Sequence, residues 1–233
     1  WATFLRPGPA TAVASLDIRD GATIEHVKIM HVAAGAALVA SAVSTLGANA
    51  VLRPVVLMLG HGLARYQPIV TCAGTEASFD LGAAMLASKG AHLDLTLVFD
   101  HAVPSCVSRE LVKAVIGEEA RAVFQGKVIV RPDAQKSDGK QMAQALMLSP
   151  SAEFDSKPEL EIYADDVVCG HGSTATEIDR DLLFYCRSRG IPEPEARAML
   201  IESFVGEALE RIETATVRDA VAAIGNGWLR SHM

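Results

Sequence analysis

Aromatic residues are scarce in this sequence, at 5% of a chain in which hydrophobic residues make up 50%. The core therefore has to be built mainly from Val, Leu, Ile and Ala, and branched aliphatic side chains pack well on pleated strands. Together with 21% charged residues, this composition is that of a folded protein and excludes a disordered chain. The length of 233 residues suits one large domain, or one domain with a modest appendage.

Runs of basic residues are also missing, and the formal net charge is -7. Nucleic-acid affinity depends largely on Lys and Arg side chains that neutralise phosphates. An acidic chain with no basic cluster is a poor phosphate binder, so the sequence argues against a nucleic-acid partner.

The sequence contains four cysteines and no Cys-x-x-Cys pair, which is too few for a disulfide framework in a chain of this length. The start of the chain has no charged region followed by a long apolar run, so no signal peptide is predicted. The apolar stretch Val32–Val43 is too short to span a bilayer. These features predict a cytoplasmic protein with reduced thiols. The cysteines are Cys72, Cys106, Cys169 and Cys186.

Short apolar runs follow one another from about Asp17 to Cys169, separated by glycine-containing gaps. Several of them alternate with a period of two, as half-buried strands do. A spacing of about a dozen residues indicates a sandwich, a barrel or a stacked β-solenoid, and periodicity alone does not separate the three. Examples are Ala22–Met30, Ala37–Leu46, Val51–Leu59, Pro68–Cys72, Phe79–Ala87, Leu93–Phe99, Ala122–Val130 and Leu160–Tyr163.

Helical signals appear only after Gly172. A first helix is predicted to present Ile178, Leu182 and Tyr185 on one face and to stop before Gly190. A second helix begins at Pro192, because apolar residues then recur at four-residue steps. A third, short helix is predicted from about Thr216 to Ile224, ended by Gly225-Asn226-Gly227. The apolar stripe of the second helix comprises Ala196, Leu200, Phe204, Ala208 and Ile212, broadened by Met199, Val205 and Leu209.

Phosphate-binding loops are incomplete in this sequence. Gly60-His61-Gly62-Leu63-Ala64-Arg65 has Arg where a dinucleotide fingerprint requires Gly or Ala. Gly126-Lys127 and Gly139-Lys140 lack both the upstream Gly and the following Ser or Thr of a P-loop. Nucleotide binding by this chain is therefore not predicted.

Asp100-His101, followed by Cys106, could supply a thiol nucleophile with a base nearby. Pro104 lies between them, and a turn with ordinary polar residues is the favoured interpretation. His26 and His31 are five residues apart, which on a strand points them to opposite faces and makes them poor joint ligands.

The segment Asp165–Gly172 follows the last predicted strand and carries the more informative pair. Cys169 and His171 are two residues apart, so on a strand both side chains face the same way. A thiolate and an imidazole on one face can share iron or zinc, and Gly170 and Gly172 would let a partner approach closely. Two ligands do not close a site, so further ligands would come from another subunit. The alternative is a buried Cys beside a hydrogen-bonded structural His.

Three long runs resemble the SufB/SufD family of iron–sulfur cluster assembly proteins: Phe124–Gln141, Lys157–Val167 and Leu183–Ile191. The resemblance extends from about Ala22 to Ile212. Within the family, Cys169-Gly170-His171-Gly172 resembles the SufD type, because SufB chains carry glutamates around the corresponding histidine and a cysteine in the stretch that matches Gln135–Gln141. Two departures are Gly170, where Ser is common, and the small extent of the N-terminal region.

The resemblance implies a mostly β fold, a right-handed parallel β-helix (β-solenoid) followed by a small C-terminal α-helical domain. Residues 1–16 would be the tail of a larger N-terminal region, residues 17–176 the β-helix, and residues 177–233 the helical domain. That helical domain is expected to dock a partner ATPase. The predicted contact residues are Leu183, Phe184, Tyr185, Arg187 and Arg189.

The resemblance further implies a heterodimer with SufB, a complex with the ATPase SufC, and a transient iron–sulfur cluster shared with SufB. His171 would act in cluster assembly with a SufB cysteine, and Cys169 is the second candidate. The chain is then not itself an enzyme, and a flavin in the full complex and a homodimer of the isolated chain stay open. Two alternatives remain: a purely structural partner of SufB that binds no iron, and a carbohydrate-active enzyme on a β-solenoid. The second needs paired carboxylates, which Asp165 and Asp166 cannot form if they point to opposite faces of a strand.

Overall fold

The computed structural model describes residues 8–232 and shows a parallel β-solenoid followed by three helices. Odd-numbered strands form one six-stranded sheet, sheet A, in the order β1-β3-β5-β7-β9-β11. Even-numbered strands form sheet B, in the order β12-β10-β8-β6-β4-β2. Each coil contributes one strand to each sheet, which makes about six turns and confirms the predicted solenoid.

Every strand but the last is ten residues long. The strands are β1 (Pro9–Ile18), β2 (Thr23–Val32), β3 (Ala37–Leu46), β4 (Val51–Gly60), β5 (Leu63–Cys72), β6 (Ser78–Ala87), β7 (His92–His101), β8 (Val107–Ile116), β9 (Arg121–Val130), β10 (Asp138–Met147), β11 (Glu153–Ile162) and β12 (Val168–Thr176). The helices are α1 (Arg180–Ser188), α2 (Glu193–Leu209) and α3 (Ala215–His232).

Alternate side chains of both sheets point into the solenoid and form its inner core. On β9, Ala122, Phe124 and Val128 belong to this core, while Lys127 points outward and pairs with Glu161. Each large aliphatic or aromatic side chain buried in this way contributes about 1.5–3 kcal/mol relative to an exposed one. Side chains of the two sheets also meet across the core, as with Phe79 of β6 and Phe99 of β7, whose ring centroids are 4.9 Å apart.

The outer face of sheet B is covered by the helices over strands β4, β6 and β8, and this explains the sequence of these strands. Val55, Leu57 and Leu59 of β4 face outward into a second apolar cluster, which also contains Val205 and Leu209 of α2. Strands buried on both faces read as continuous apolar runs, because neither set of alternate residues meets water. The outer face of sheet A has no such cover, and its strands alternate between apolar and polar residues.

The solenoid begins earlier than the predicted boundary at residue 17. β1 starts at Pro9 and pairs with β3 in the register Pro9↔Ala37. Its inward side chains include the small Ala14 and its outward ones lie on an uncovered edge, so the strand shows little of the hydrophobic pattern that marks the others. Residues 9–16, predicted to belong to a tail, therefore lie in the solenoid, and residues 1–7 lie outside the described part of the chain.

The helices match the predicted starts, with two corrections. Asp179 caps α1 by accepting hydrogen bonds from the backbone N–H groups of Asp181 and Leu182. None of the α1 side chains is buried, so the face of Leu182 and Tyr185 lies in solvent rather than against the solenoid. α3 does not stop at Gly225 but continues to His232.

The continuation of α3 follows from its packing. A Cβ at Gly225 would meet the side chains of Leu57 and Leu86 at 4.0 and 3.8 Å, so the backbone of this turn lies directly on sheet B. Trp228 and Leu229 of the next turn are buried. Burying these two side chains outweighs the cost of about 1 kcal/mol for each glycine in a helix interior.

Candidate metal site at the open end of the solenoid

The last coil ends in two edge strands, β11 of sheet A and β12 of sheet B, which form the open end of the solenoid. Cys169 and His171 both lie on β12, where they pair with Gly139 and Gln141 of β10. Gln141 is buried and Cys169 packs against the inner core, so the pair lies on the inward face of the edge strand. The prediction that the two side chains share one face of a strand is confirmed.

Solvent reaches the two residues to different degrees. Cys169 is half-buried and His171 is exposed. Burial raises the pKa of the Cys169 thiol, a hydrogen bond with the backbone of Gly139 opposes this, and the charge of Asp138 adds to it. A thiol with a raised pKa is less available as a thiolate, so His171 is the more accessible of the two candidate ligands.

The two glycines beside the pair differ in their surroundings. A Cβ on Gly170 would meet nothing within 4 Å, so the backbone here is open to a partner. A Cβ on Gly172 would lie 2.7 Å from the terminal methyl group of Met142, a flexible and partly exposed side chain that can move aside. The expectation of open space therefore fits Gly170 directly, and Gly172 only once Met142 moves.

The chain does not form a complete metal site. Within residues 8–232, no three His, Cys, Asp or Glu side chains are placed to hold one metal ion. Structural iron and zinc sites usually have four protein ligands, so Cys169 and His171 would need ligands from another chain.

Asp100 and His101 end strand β7, Cys106 follows the predicted turn that contains Pro104, and all three residues are buried. His101 is fully buried, and its Nε2 lies 3.1 Å from the hydroxyl of Ser108. Asp100 accepts hydrogen bonds from Arg131, at 2.6 Å from its Nη2. The Cys106 thiol lies 3.5 Å from the carbonyl oxygen of Gly74 and 3.6 Å from that of Pro104, and its proximity together with burial raises the pKa of the Cys72 thiol. Full burial keeps this group from a substrate in solution.

The remaining sequence candidates are explained by structure. His26 and His31 lie on β2 with opposite orientations, as predicted from their spacing. Gly60 lies in the tight turn between β4 and β5, and a Cβ there would collide with the carbonyl of Val32, so this glycine serves coil packing.

Asp165 and Asp166 lie in the bend between β11 and β12 rather than on a strand, which corrects the predicted placement. Asp166 pairs with Lys136 on the preceding coil. The two residues still do not form the pair of facing carboxylates that a glycosidase needs.

The predicted contact residues on α1 do not all share one surface. Phe184 is 73% exposed, and Tyr185 is 55% exposed with the Arg189 guanidinium 4.7 Å from its ring centre. Arg187 pairs with Glu193 at 3.2 Å. Leu183 instead packs partly against the helical cluster. A groove runs beside this helix, lined by Met147, Leu148, Pro150, Ile178, Phe184 and Arg197 among others.

Sequence reasoning missed three buried polar residues. Lys113 of β8 is an outward residue enclosed by α2, where its Nζ lies 2.6 Å from Glu207 and 2.6 Å from Gln144. Glu110 and Gln141 point inward beneath His171. The sequence does carry a signal for Glu110. It lies two and four residues before the apolar Val112 and Ala114, so on a strand all three side chains point to the same, core-facing side.

The comparisons with known proteins agree with this geometry. The family model "SUF system FeS cluster assembly, SufBD core domain" matches residues 7–204. The SufD iron–sulfur cluster assembly protein of Escherichia coli is 34% identical over 166 residues, which are 71% of this chain and 39% of that protein. An iron–sulfur cluster assembly SufBD family protein of Mycobacterium bovis is 36% identical over 76% of this chain and 47% of its own length.

A protein of Arabidopsis thaliana, "ABCI7, chloroplastic", is 35% identical over 69% of this chain and 34% of its own length. The chain thus spans less than half the length of these three relatives. Its parallel solenoid and its match to this family model define a β-solenoid protein of iron–sulfur cluster assembly. The chain belongs to the SufB/SufD family and is of the SufD type. Among residues 8–232, no helix is both long and apolar enough to cross a membrane.

Proposed function

We propose that this chain is the SufD-type scaffold subunit of a cytoplasmic complex with a SufB-type chain and a SufC-type ATPase. In that complex, a nascent iron–sulfur cluster would be assembled at the interface between the two solenoids. The observation that carries this proposal is the position of His171: an exposed imidazole, next to a cysteine, on the inward face of an uncovered edge strand. An edge strand can pair with a strand of another chain, and the partner would then bring its own ligands to His171.

The incomplete ligand set supports an interfacial role. Neither Cys169 nor His171 can hold iron securely alone, and a thiolate from the SufB-type chain would supply the soft ligand that iron prefers. The cluster is then cargo that leaves after assembly. This is consistent with a site that only two subunits together complete.

The helical segment supports a contact with the ATPase. Phe184 and Tyr185 form an exposed aromatic surface on α1, and aromatic residues with neighbouring arginines are typical of interface centres. We propose that this surface docks the ATPase. The sequence has no intact P-loop, so the chain would receive mechanical work from that partner and would catalyse no reaction itself.

The test is iron and sulfide content in a complex isolated without oxygen after co-expression of the three subunits. His171→Ala should lower both contents several-fold while the three subunits still copurify. Cys169→Ala should lower them less, because the thiol is half-buried. Ser173→Ala, two residues along β12 from His171, is the matched control and should leave both contents unchanged. Wild-type contents in His171→Ala would reject an iron role and leave a purely structural partner of SufB.

A further inference from the structure

The inward column beneath His171 is polar, whereas most inward positions of the solenoid are apolar. The strand registers place Glu110 of β8, Gln141 of β10 and His171 of β12 at the same position on three successive coils. Neighbouring strands are about 4.8 Å apart, so inward side chains in one column are direct neighbours. The next coil places Leu81 under Glu110, which closes the column on the apolar side.

Both lower residues are buried without a hydrogen-bond partner. Glu110 is 3% exposed and Gln141 is 2% exposed. The two carboxyl oxygens of Glu110 and the amide oxygen and nitrogen of Gln141 make no hydrogen bond in this conformation. A buried polar group left unpaired destabilises the fold, so such groups are retained where another arrangement uses them.

Gly126 on β9 faces Gln141 across the solenoid. A Cβ on Gly126 would lie 2.5 Å from the Phe124 ring and 3.1 Å from the Gln141 amide oxygen, so the missing side chain lets the ring and the amide pack side by side there. Burial raises the pKa of Glu110 well above its usual value, although the nearby Gln141 amide opposes this. Burial therefore favours the neutral acid form of Glu110, whose carbonyl oxygen can accept a hydrogen bond from an amide N–H.

We propose that Gln141 is a positioning residue for His171, and that Glu110 in turn holds Gln141. The inward ring N–H of His171 donates to the amide oxygen of Gln141, and the amide N–H of Gln141 donates to the carbonyl oxygen of Glu110. This leaves the outward ring nitrogen unprotonated and aimed at the partner. Metal-binding histidines are commonly held by such a bond from their second nitrogen, which fixes the tautomer and the ring orientation.

The use of these hydrogen bonds in iron binding rests on the proposed function, whereas the hydrogen bonds themselves do not require iron. The first test therefore uses the full chain without metal and records the ¹⁵N shifts of the His171 ring, assigned by their loss in His171→Ala. In wild type, one ring nitrogen should be protonated and the other not. Gln141→Met keeps the shape of the side chain and removes its amide. In this variant the shifts of the two His171 ring nitrogens should move toward their common average.

Conservative variants separate positioning from packing. Glu110→Gln retains an acceptor oxygen and should keep the wild-type shifts, whereas Glu110→Leu should move them part of the way toward the average. Met142→Leu, the outward neighbour on β10, is the control and should change nothing. Gln141→Leu repeats the measurement if Gln141→Met folds poorly. Identical His171 shifts in wild type and in the folded Gln141 variants would overturn the proposal.

The second test measures iron in the three-subunit complex. Gln141→Met should weaken iron retention about 10–100-fold, the usual effect of losing a group that orients a metal ligand. If His171→Ala has no effect on iron, the proposed function fails, while the shifts of the free chain still decide whether Gln141 orients His171. If Gln141→Met alters the His171 shifts but retains iron normally, the orientation of His171 by Gln141 does not serve iron binding, and that part of the proposal is wrong.

Discussion

The ammonium group of Lys113, on strand β8, lies 2.6 Å from a carboxylate oxygen of Glu207 on helix α2. The lysine is 2% exposed and its Nζ also lies 4.5 Å from the centre of the Phe204 ring. A buried ammonium group is tolerated only when it is paired, so this contact fixes where α2 sits on the solenoid.

Removing the acidic partner should leave Lys113 buried with only Gln144 to accept its hydrogen bond. We expect Glu207→Ala to lower the free energy of unfolding by about 1–2 kcal/mol, a modest figure because Glu207 is half-exposed and screened by solvent. Urea unfolding followed by circular dichroism measures the change. In a Lys113→Met background the same substitution should cost little, because no buried charge remains. Glu210→Ala, at an exposed position one turn on, is the control, and equal losses at both sites would contradict this prediction.

Gly82 of β6 is the point of closest approach between the solenoid and α2. A Cβ at this position would collide with the backbone carbonyl of Ala208, which cannot move without displacing the helix. Gly82→Ala is therefore expected to destabilise the fold by about 1–3 kcal/mol. The matched variant is Gly206→Ala in the same helix, where a Cβ meets nothing within 4 Å and where the substitution should stabilise by up to about 1 kcal/mol. Thermal unfolding would show melting temperatures moving in opposite directions, and a shift of the same sign for both would refute the packing argument.

Glu110 should make the stability of the chain fall as pH rises. Its folded pKa lies well above its ordinary value of 4.5 because burial disfavours the carboxylate. Above pH 4.5 the unfolded chain releases this proton and the folded chain keeps it, so the free energy of unfolding falls by up to about 1.4 kcal/mol per pH unit until the folded pKa is reached.

Glu110→Gln should remove this slope. The variant should match wild type near pH 4 and become progressively more stable than wild type as pH rises to neutrality. Denaturant unfolding at several pH values measures the difference. Glu119→Gln, at an exposed position, controls for the loss of one negative charge. Parallel curves for wild type and Glu110→Gln would show that Glu110 is ionised in the folded chain.

The exposed aromatic surface of α1 should be important for binding and unimportant for folding. Phe184→Asp is expected to abolish copurification of the SufC-type ATPase while shifting the melting temperature by less than about 2 °C, because surface substitutions seldom change stability by more than about 0.5 kcal/mol. Met199→Asp, at a 47% exposed position on α2, is the control and should retain the ATPase. Retention of the ATPase by Phe184→Asp would place its docking surface elsewhere.

Much of the fold could be predicted from the sequence because its patterns are local. The alternation in Ala122–Val130 and the acidic residues before α1 depend on neighbours within one or two turns of chain, and both led to correct elements. The family resemblance then selected a solenoid from three β architectures that the same periodicity allows. β1 was missed because the pattern that identifies a strand is weak at an uncovered edge.

The column beneath His171 could not be predicted because it depends on coil length. Glu110 and Gln141 share a position only because 31 residues separate them across one coil, and 30 residues separate Gln141 from His171. One residue more or fewer in either turn would have placed a different side chain there. Likewise, nothing local to Gly225 shows that Leu57 and Leu86 lie against it and keep α3 helical.

The coils differ in length, and this difference bears on where related chains can gain or lose residues. Paired positions on sheet A are 28 residues apart between β1 and β3, 26 between β3 and β5, and 32 between β9 and β11, yet every strand pair keeps its ladder. The turns absorb the difference while strand length stays constant. Insertions and deletions between relatives should therefore fall in the turns, and larger length changes should come in whole coils.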